Sequence, residues 1–134
     1  MSEIDDLISL LKNNWTAALV PTVTKMTSMK RSDFRDSSYI HIYEYNYDEK
    51  KRGSHYDFVK KTMTFSFDIR TKNGYQDLRI IDAEVLRILH ANRKDPITGY
   101  DKLEIIRRTD LSEKAVRLYH IVIDVSIIKL FSAL

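Results

Sequence analysis

Thr62-Met63-Thr64-Phe65-Ser66-Phe67-Asp68-Ile69-Arg70-Thr71 alternates strictly, with Met63, Phe65, Phe67 and Ile69 apolar and Thr64, Ser66, Asp68 and Arg70 polar between them. Successive side chains of a strand point to opposite faces, so a period of two describes a strand with one face in a core and the other open. Downstream, Asn73-Gly74 breaks the run, and Leu78, Ile81, Val85, Ile88 and Leu89 restart it at helical spacing. That spacing predicts a helix from about Gln76 to Asn92. Asp95-Pro96 and Thr98-Gly99 mark a turn-rich exit. Leu103 to Thr109 then reads as a strand and Leu118 to Leu130 as a longer one, with Tyr119, Ile121, Ile123, Val125 and Ile127 facing inward.

Upstream, Tyr39 to Tyr45 alternates as well. Ile40 and Ile42 share one face, and Tyr39, His41, Tyr43 and Tyr45 share the other. Asn46 to Tyr56 holds Asp48, Glu49, Lys50, Lys51, Arg52, Gly53 and Ser54, too polar a set to pack, and is expected to be an exposed hairpin tip. Residues 16 to 37 contain Pro21 and no sustained period, which predicts a long connection with a short strand near Thr22 to Thr27. Ile4, Leu7, Ile8, Leu11 and Trp15 lie on one helical face, so residues 3 to 15 should form a helix whose apolar stripe enters the core. Ser2 is placed to cap it, and Glu3, Asp5 and Asp6 suit the positive end of its dipole.

The order helix, strand, strand, helix, strand, strand predicts an α+β fold, a mostly antiparallel sheet of four or five strands with two helices on one face. The 134 residues suit a single domain over 1–134, and 43% hydrophobic against 31% charged supplies one core. The opposite sheet face would carry Thr64, Ser66, Asp68, Arg70, His120, Asp124 and Ser126, interrupted by apolar Val122, Ile128 and Leu130. Apolar breaks in a polar face predict a second contact surface there.

Composition narrows the chemistry. The chain has no cysteine, which excludes disulfides, thiolate metal sites and a Cys nucleophile. The acidic start and the interruption of Ile121–Leu130 by Asp124, Ser126 and Lys129 predict neither export nor a membrane span, and therefore a soluble protein without membrane partners. Four scattered histidines (His41, His55, His90, His120) show no metal-ligand spacing, and three glycines make no phosphate loop. No cofactor, metal or catalytic set is expected. Asp68 and Arg70, with Glu44 or Asp124, match a metal-dependent nuclease only loosely, because such sites call for a further strand-borne carboxylate and a lysine. An alternative is nucleic-acid binding by the 43–61 hairpin, where Tyr43, Tyr45, Tyr47 and Tyr56 flank Lys50, Lys51, Arg52, Lys60 and Lys61. Glu44, Asp48, Glu49 and Asp57 dilute that charge, and the net charge of +3 is modest for such a binder.

The layout as a whole resembles the small tail-completion or tail-terminator proteins of tailed phages and archaeal tailed viruses. The residues that carry the likeness are Ile4 to Trp15 ending in Leu10-Leu11-Lys12-Asn13-Asn14-Trp15, Pro21-Thr22, Asp33-Phe34 and Tyr39-Ile40-His41-Ile42-Tyr43. Further on they are Val59 to Thr71, Asp82 to Leu89, Tyr100-Asp101, Arg108-Thr109-Asp110-Leu111-Ser112 and Tyr119 to Ile127. The resemblance implies a non-enzymatic ring subunit, typically in a hexamer, at the head-proximal end of a tail tube. Such a ring stops tube growth and joins the tail to the neck; other neck and head-tail connector proteins share this size and pattern. Implied partners are further copies of the chain, the tail-tube protein and neck or connector proteins, with nucleic acid bound weakly or passing through the lumen. The implied location is the virion tail or neck, reached from the host cytoplasm. Contacts in such a ring are expected at Tyr39, His41, Tyr43, Tyr45, Lys50, Lys51, Arg52, Val122, Ile128 and Leu130.

Overall fold

The computed structural model describes residues 3–16, 25–27, 38–52, 58–72, 74–113 and 119–132. The order of elements is α1 (Glu3–Asn14), β1 (Lys25–Thr27), β2 (Ser38–Arg52), β3 (Phe58–Thr71), α2 (Tyr75–Ala91), β4 (Lys102–Asp110) and β5 (Tyr119–Ser132). They build one five-stranded sheet in the order β1-β2-β3-β5-β4, antiparallel throughout except for the short parallel pair β1–β2. The α+β architecture expected from the alternation is the one observed.

The alternating stretch sits at the centre. Phe65, Phe67 and Ile69 of β3 are fully buried, with Met63 at the end of the row. Register places Ile40, Ile69 and Ile121 side by side, and beside them Ile42, Phe67 and Ile123, so each inward row is apolar across three strands. Leu7 and Leu11 of α1 and Leu78, Ile81, Val85, Ile88 and Leu89 of α2 close over these rows. Burying one such side chain contributes about 1.5–3 kcal/mol, and the helices exist to supply that cover.

Polar links fix the helices at their ends. Gly74 precedes α2 with φ 121°, a backbone conformation that glycine adopts without strain, and its carbonyl accepts the Leu78 amide at 3.1 Å. Thr71 at the end of β3 donates to Asp77 in the first turn at 2.8 Å. Glu84, buried on α2, accepts from the Thr16 amide (2.7 Å) and from Arg87 Nε (2.5 Å), while Arg87 Nη2 donates to the Asn14 carbonyl (2.7 Å). The C-terminal end of α1 is thereby tied to α2. Arg87 holds the Glu84 carboxyl below its ordinary range, against the opposing effect of burial.

Two elements differ from the sequence expectation. Residues 46–52 are not a hairpin tip: β2 continues through them, pairing from Asn46↔Thr64 to Arg52↔Phe58. Backbone hydrogen bonds carry this pairing, so it needs no apolar side chains. The second difference is in β4, where the register shifts between Ile105 and Arg107. The bulge inserts one residue and reverses the alternation beyond it. Arg107 therefore lies on the face away from the helices, bonded to Asp124, whereas Arg108 turns to α2 and grips Asp82 at 2.9 and 3.0 Å. Ser2, proposed as the cap of α1, and Thr22–Thr24 of the expected short strand lie outside the described residues; the strand itself is Lys25–Thr27.

Candidate interaction surface

The face turned away from the helices is built row by row. One row holds Tyr39, Arg70 and His120, the next His41, Asp68 and Val122, and the third Tyr43, Ser66, Asp124 and Arg107. All are placed by strand alternation and, for Arg107, by the bulge.

Asp68 lies between Arg70 and His120. Arg70 Nε and Nη2 each stand 3.3 Å from one of its oxygens, and His120 Nε2 abuts Oδ1. Burial pushes the Asp68 carboxyl up, yet the bonds from His120 and Arg70 outweigh it and hold the group below its ordinary value. The same pairing raises Arg70 despite its partial burial. Asp124 is served likewise: Ser66 Oγ donates to Oδ1 at 2.7 Å, and Arg107 Nε and Nη2 donate to Oδ2 at 3.1 and 2.9 Å. Thr64 and Ser126 share a hydroxyl bond of 3.0 Å in the next row.

Tyr43 stands between two cavities of about 450 Å3 each. One is lined by His41, Tyr43, Asp68 and Arg70, the other by Tyr43, Ser66, Arg107, Thr109, Leu111, Val122 and Asp124. The Tyr43 ring stacks on His41 at 4.9 Å between centroids. Tyr43 and Leu111 are exposed at the rim, and Arg107 is 67% exposed while its polar end stays fastened to Asp124. An aromatic ring, an aliphatic side chain and two pre-oriented guanidinium groups are the composition of a protein contact, where such groups carry much of the binding energy.

The arrangement does not suit hydrolysis. Asp68 and Asp124 are each bonded to an arginine, and Glu44, the third carboxylate of the nuclease reading, shares a register position with inward-facing Phe65, away from Asp68. Among the described residues no three His, Asp or Glu side chains converge as metal ligands.

Of the contact residues read from the sequence, Tyr43 and Leu130 are open, Val122 is half-buried, and Tyr39, His41 and Ile128 are buried within the chain itself. The difference between Ile128 and Leu130 follows from strand lengths. Ile128 is flanked by Thr62 and Lys102, whereas Leu130 pairs with Lys60 and extends past the start of β4. The backbones of Tyr45, Lys50, Lys51 and Arg52 belong to β2, and their side chains lie outside the described set. Arg107, Thr109 and Leu111 were not among the contact residues read from the sequence, because only the bulge brings them to this face.

No protein-family model matches the sequence, and no curated protein matches it. Among solved structures the fold is similar to that of a chain from the virion of a native gene transfer agent particle. The likeness has a TM-score of 0.65 at 14% identity and covers 94% of this chain and 92% of the other. At that identity the two share a fold.

Proposed function

We propose that this chain is a structural subunit of a phage-like virion, and that its place is the ring at the head-proximal end of a tail tube, where it stops tube growth and joins tail to neck. The observation that carries the reading is the end-to-end likeness to a chain of a gene transfer agent virion, with little of either chain left over. Two features of the chain support it. The carboxylates on the open sheet face are neutralised by arginines rather than free for catalysis. The same face presents Tyr43 and Leu111 beside those arginines and Leu130 further along β5, a surface suited to neighbouring subunits.

Solution mass tests this. Light scattering of the chain alone, and again with the co-encoded tail-tube protein, is expected to give a discrete multimer in at least one condition, nominally six copies of the 15.8 kDa chain. A monomer in both, together with single-stranded nucleic-acid binding that weakens steeply with salt, would replace the ring reading with a nucleic-acid-binding one.

A further inference from the structure

The sheet ends in two strand edges that lack a partner along much of their length among the described residues. On one side β1 pairs with β2 only at Tyr39–His41, so the outer edge of β2 from Ile42 to Arg52 runs on alone. On the other side β4 is the last strand. Its start is occupied, since Lys94 bridges Lys102 and the Leu103 amide donates to the Arg93 carbonyl at 2.8 Å. From Glu104 to Asp110 the outer edge has no backbone partner among the described residues. Unpaired N–H and C=O groups along a strand are a template for another strand, and proteins that keep such an edge open have a use for it or a hazard in it.

We propose that the outer edge of β4 in one copy of this chain pairs with the outer edge of β2 in the next, so that one sheet runs on from subunit to subunit. This rests on the ring reading above and names the contact that closes the ring. Polarity is right for it: β2, β3, β5 and β4 alternate in direction, so β4 runs opposite to β2 and a following copy adds an antiparallel strand. Length is right as well, because the open stretch of β2 is at least as long as Glu104–Asp110. Charge agrees. With the two open stretches centred on each other in antiparallel sense, Asp48 and Glu49 fall within two positions of Arg107 and Lys50 falls opposite Glu104, against one like-charge pair, Glu44 opposite Asp110 at the end of the stretch.

The β4 edge also carries an exposed apolar side chain. Ile106, the bulged residue, is 54% exposed, and a cavity of about 420 Å3 lined by His90, Arg93 and Leu103–Ile106 lies beside it. An added strand would cover both. Because the two edges differ, their contact is head-to-tail, and such contacts either close into a ring or grow as a filament. Ring closure removes both edges at once.

Disulfide trapping tests the contact directly, since the chain has no cysteine. Asp48→Cys and Ile106→Cys are prepared as separate single variants and mixed under the conditions that give the multimer. Within one chain β2 and β4 are separated by two intervening strands, roughly 14 Å at the usual strand spacing, which is beyond disulfide reach. Oxidation is expected to give cross-linked dimers in the mixture and none in either variant alone, and the double variant should give a ladder of cross-linked copies; single variants at 47, 49 and 50 allow for register. A multimer of unchanged mass that shows no cross-link at any of these positions would overturn the edge contact and leave the ring standing. Cross-linking by Ile106→Cys alone would mean β4-to-β4 pairing and would also overturn it. The absence of any multimer would remove the ring reading itself, and this contact with it.

Discussion

Replacing Asp68 by asparagine keeps the shape of the side chain and removes the charge that pairs with Arg70 beside His120. Leaving a buried charge without its counter-ion costs about 3–5 kcal/mol. Arg70 is 30% exposed and takes up water once released, which lowers the expected loss to about 2 kcal/mol. For a chain of this size, with a urea dependence of about 2 kcal/mol per molar, that is a midpoint shift of about 1 M. The assay is urea unfolding at neutral pH at a concentration where the chain is monomeric. Acidity gives a second readout. The folded-state value of Asp68 lies below its ordinary one, so the unfolded chain binds the proton first and the stabilisation is complete above the ordinary value. It is lost as pH falls through the folded value, so the gap between wild type and Asp68→Asn should narrow below about pH 4. A midpoint shift below about 0.2 M, or Asp68→Asn and Arg70→Ala effects that simply add, would refute the claim that this pair holds the face together.

Two further outcomes follow from the fold. Gly74→Ala forces a side chain into φ 121° with no neighbour within 4 Å, so the loss of about 1–3 kcal/mol is backbone strain alone and should appear as a lower Tm. Arg108→Ala leaves the buried Asp82 carboxylate unpaired and should cost about 2 kcal/mol in urea unfolding; adding Asp82→Asn should recover part of it, and no recovery would argue against the pairing.

The parts of the fold that could be read from the sequence are those whose side chains repeat with the backbone. Met63–Ile69 shows the period of a strand and Leu78–Leu89 that of a helix, because one face of each meets the core. Residues 46–52 carry no such period, and their pairing with β3 shows only in the backbone register. The bulge at Ile106 is invisible for a related reason: an extra residue in one strand leaves no mark in composition, yet it decides that Arg107 serves Asp124 and Arg108 serves Asp82. The polar face was legible as polar. Its internal pairing was not, because Ser66 with Asp124 and Asp68 with His120 are neighbours only through the β3–β5 register.

The far end of the sheet bears on why such a chain would assemble. Beyond Met63 no described side chain of β3 belongs to the buried core, and Leu130 of β5 is half exposed. Yet β2, β3 and β5 continue in register past that point, to Arg52, Phe58 and Ser132. Ordering each residue of this extension costs about 1–2 kcal/mol of backbone entropy. An assembly has a use for it, because the backbone that extends past Met63 presents the open edge of β2, and pairing that edge with a neighbour adds backbone bonds and buried surface. The extension and the ring contact are then one feature, and the stability of this end of the molecule should be set by the neighbouring copy rather than by the two helices.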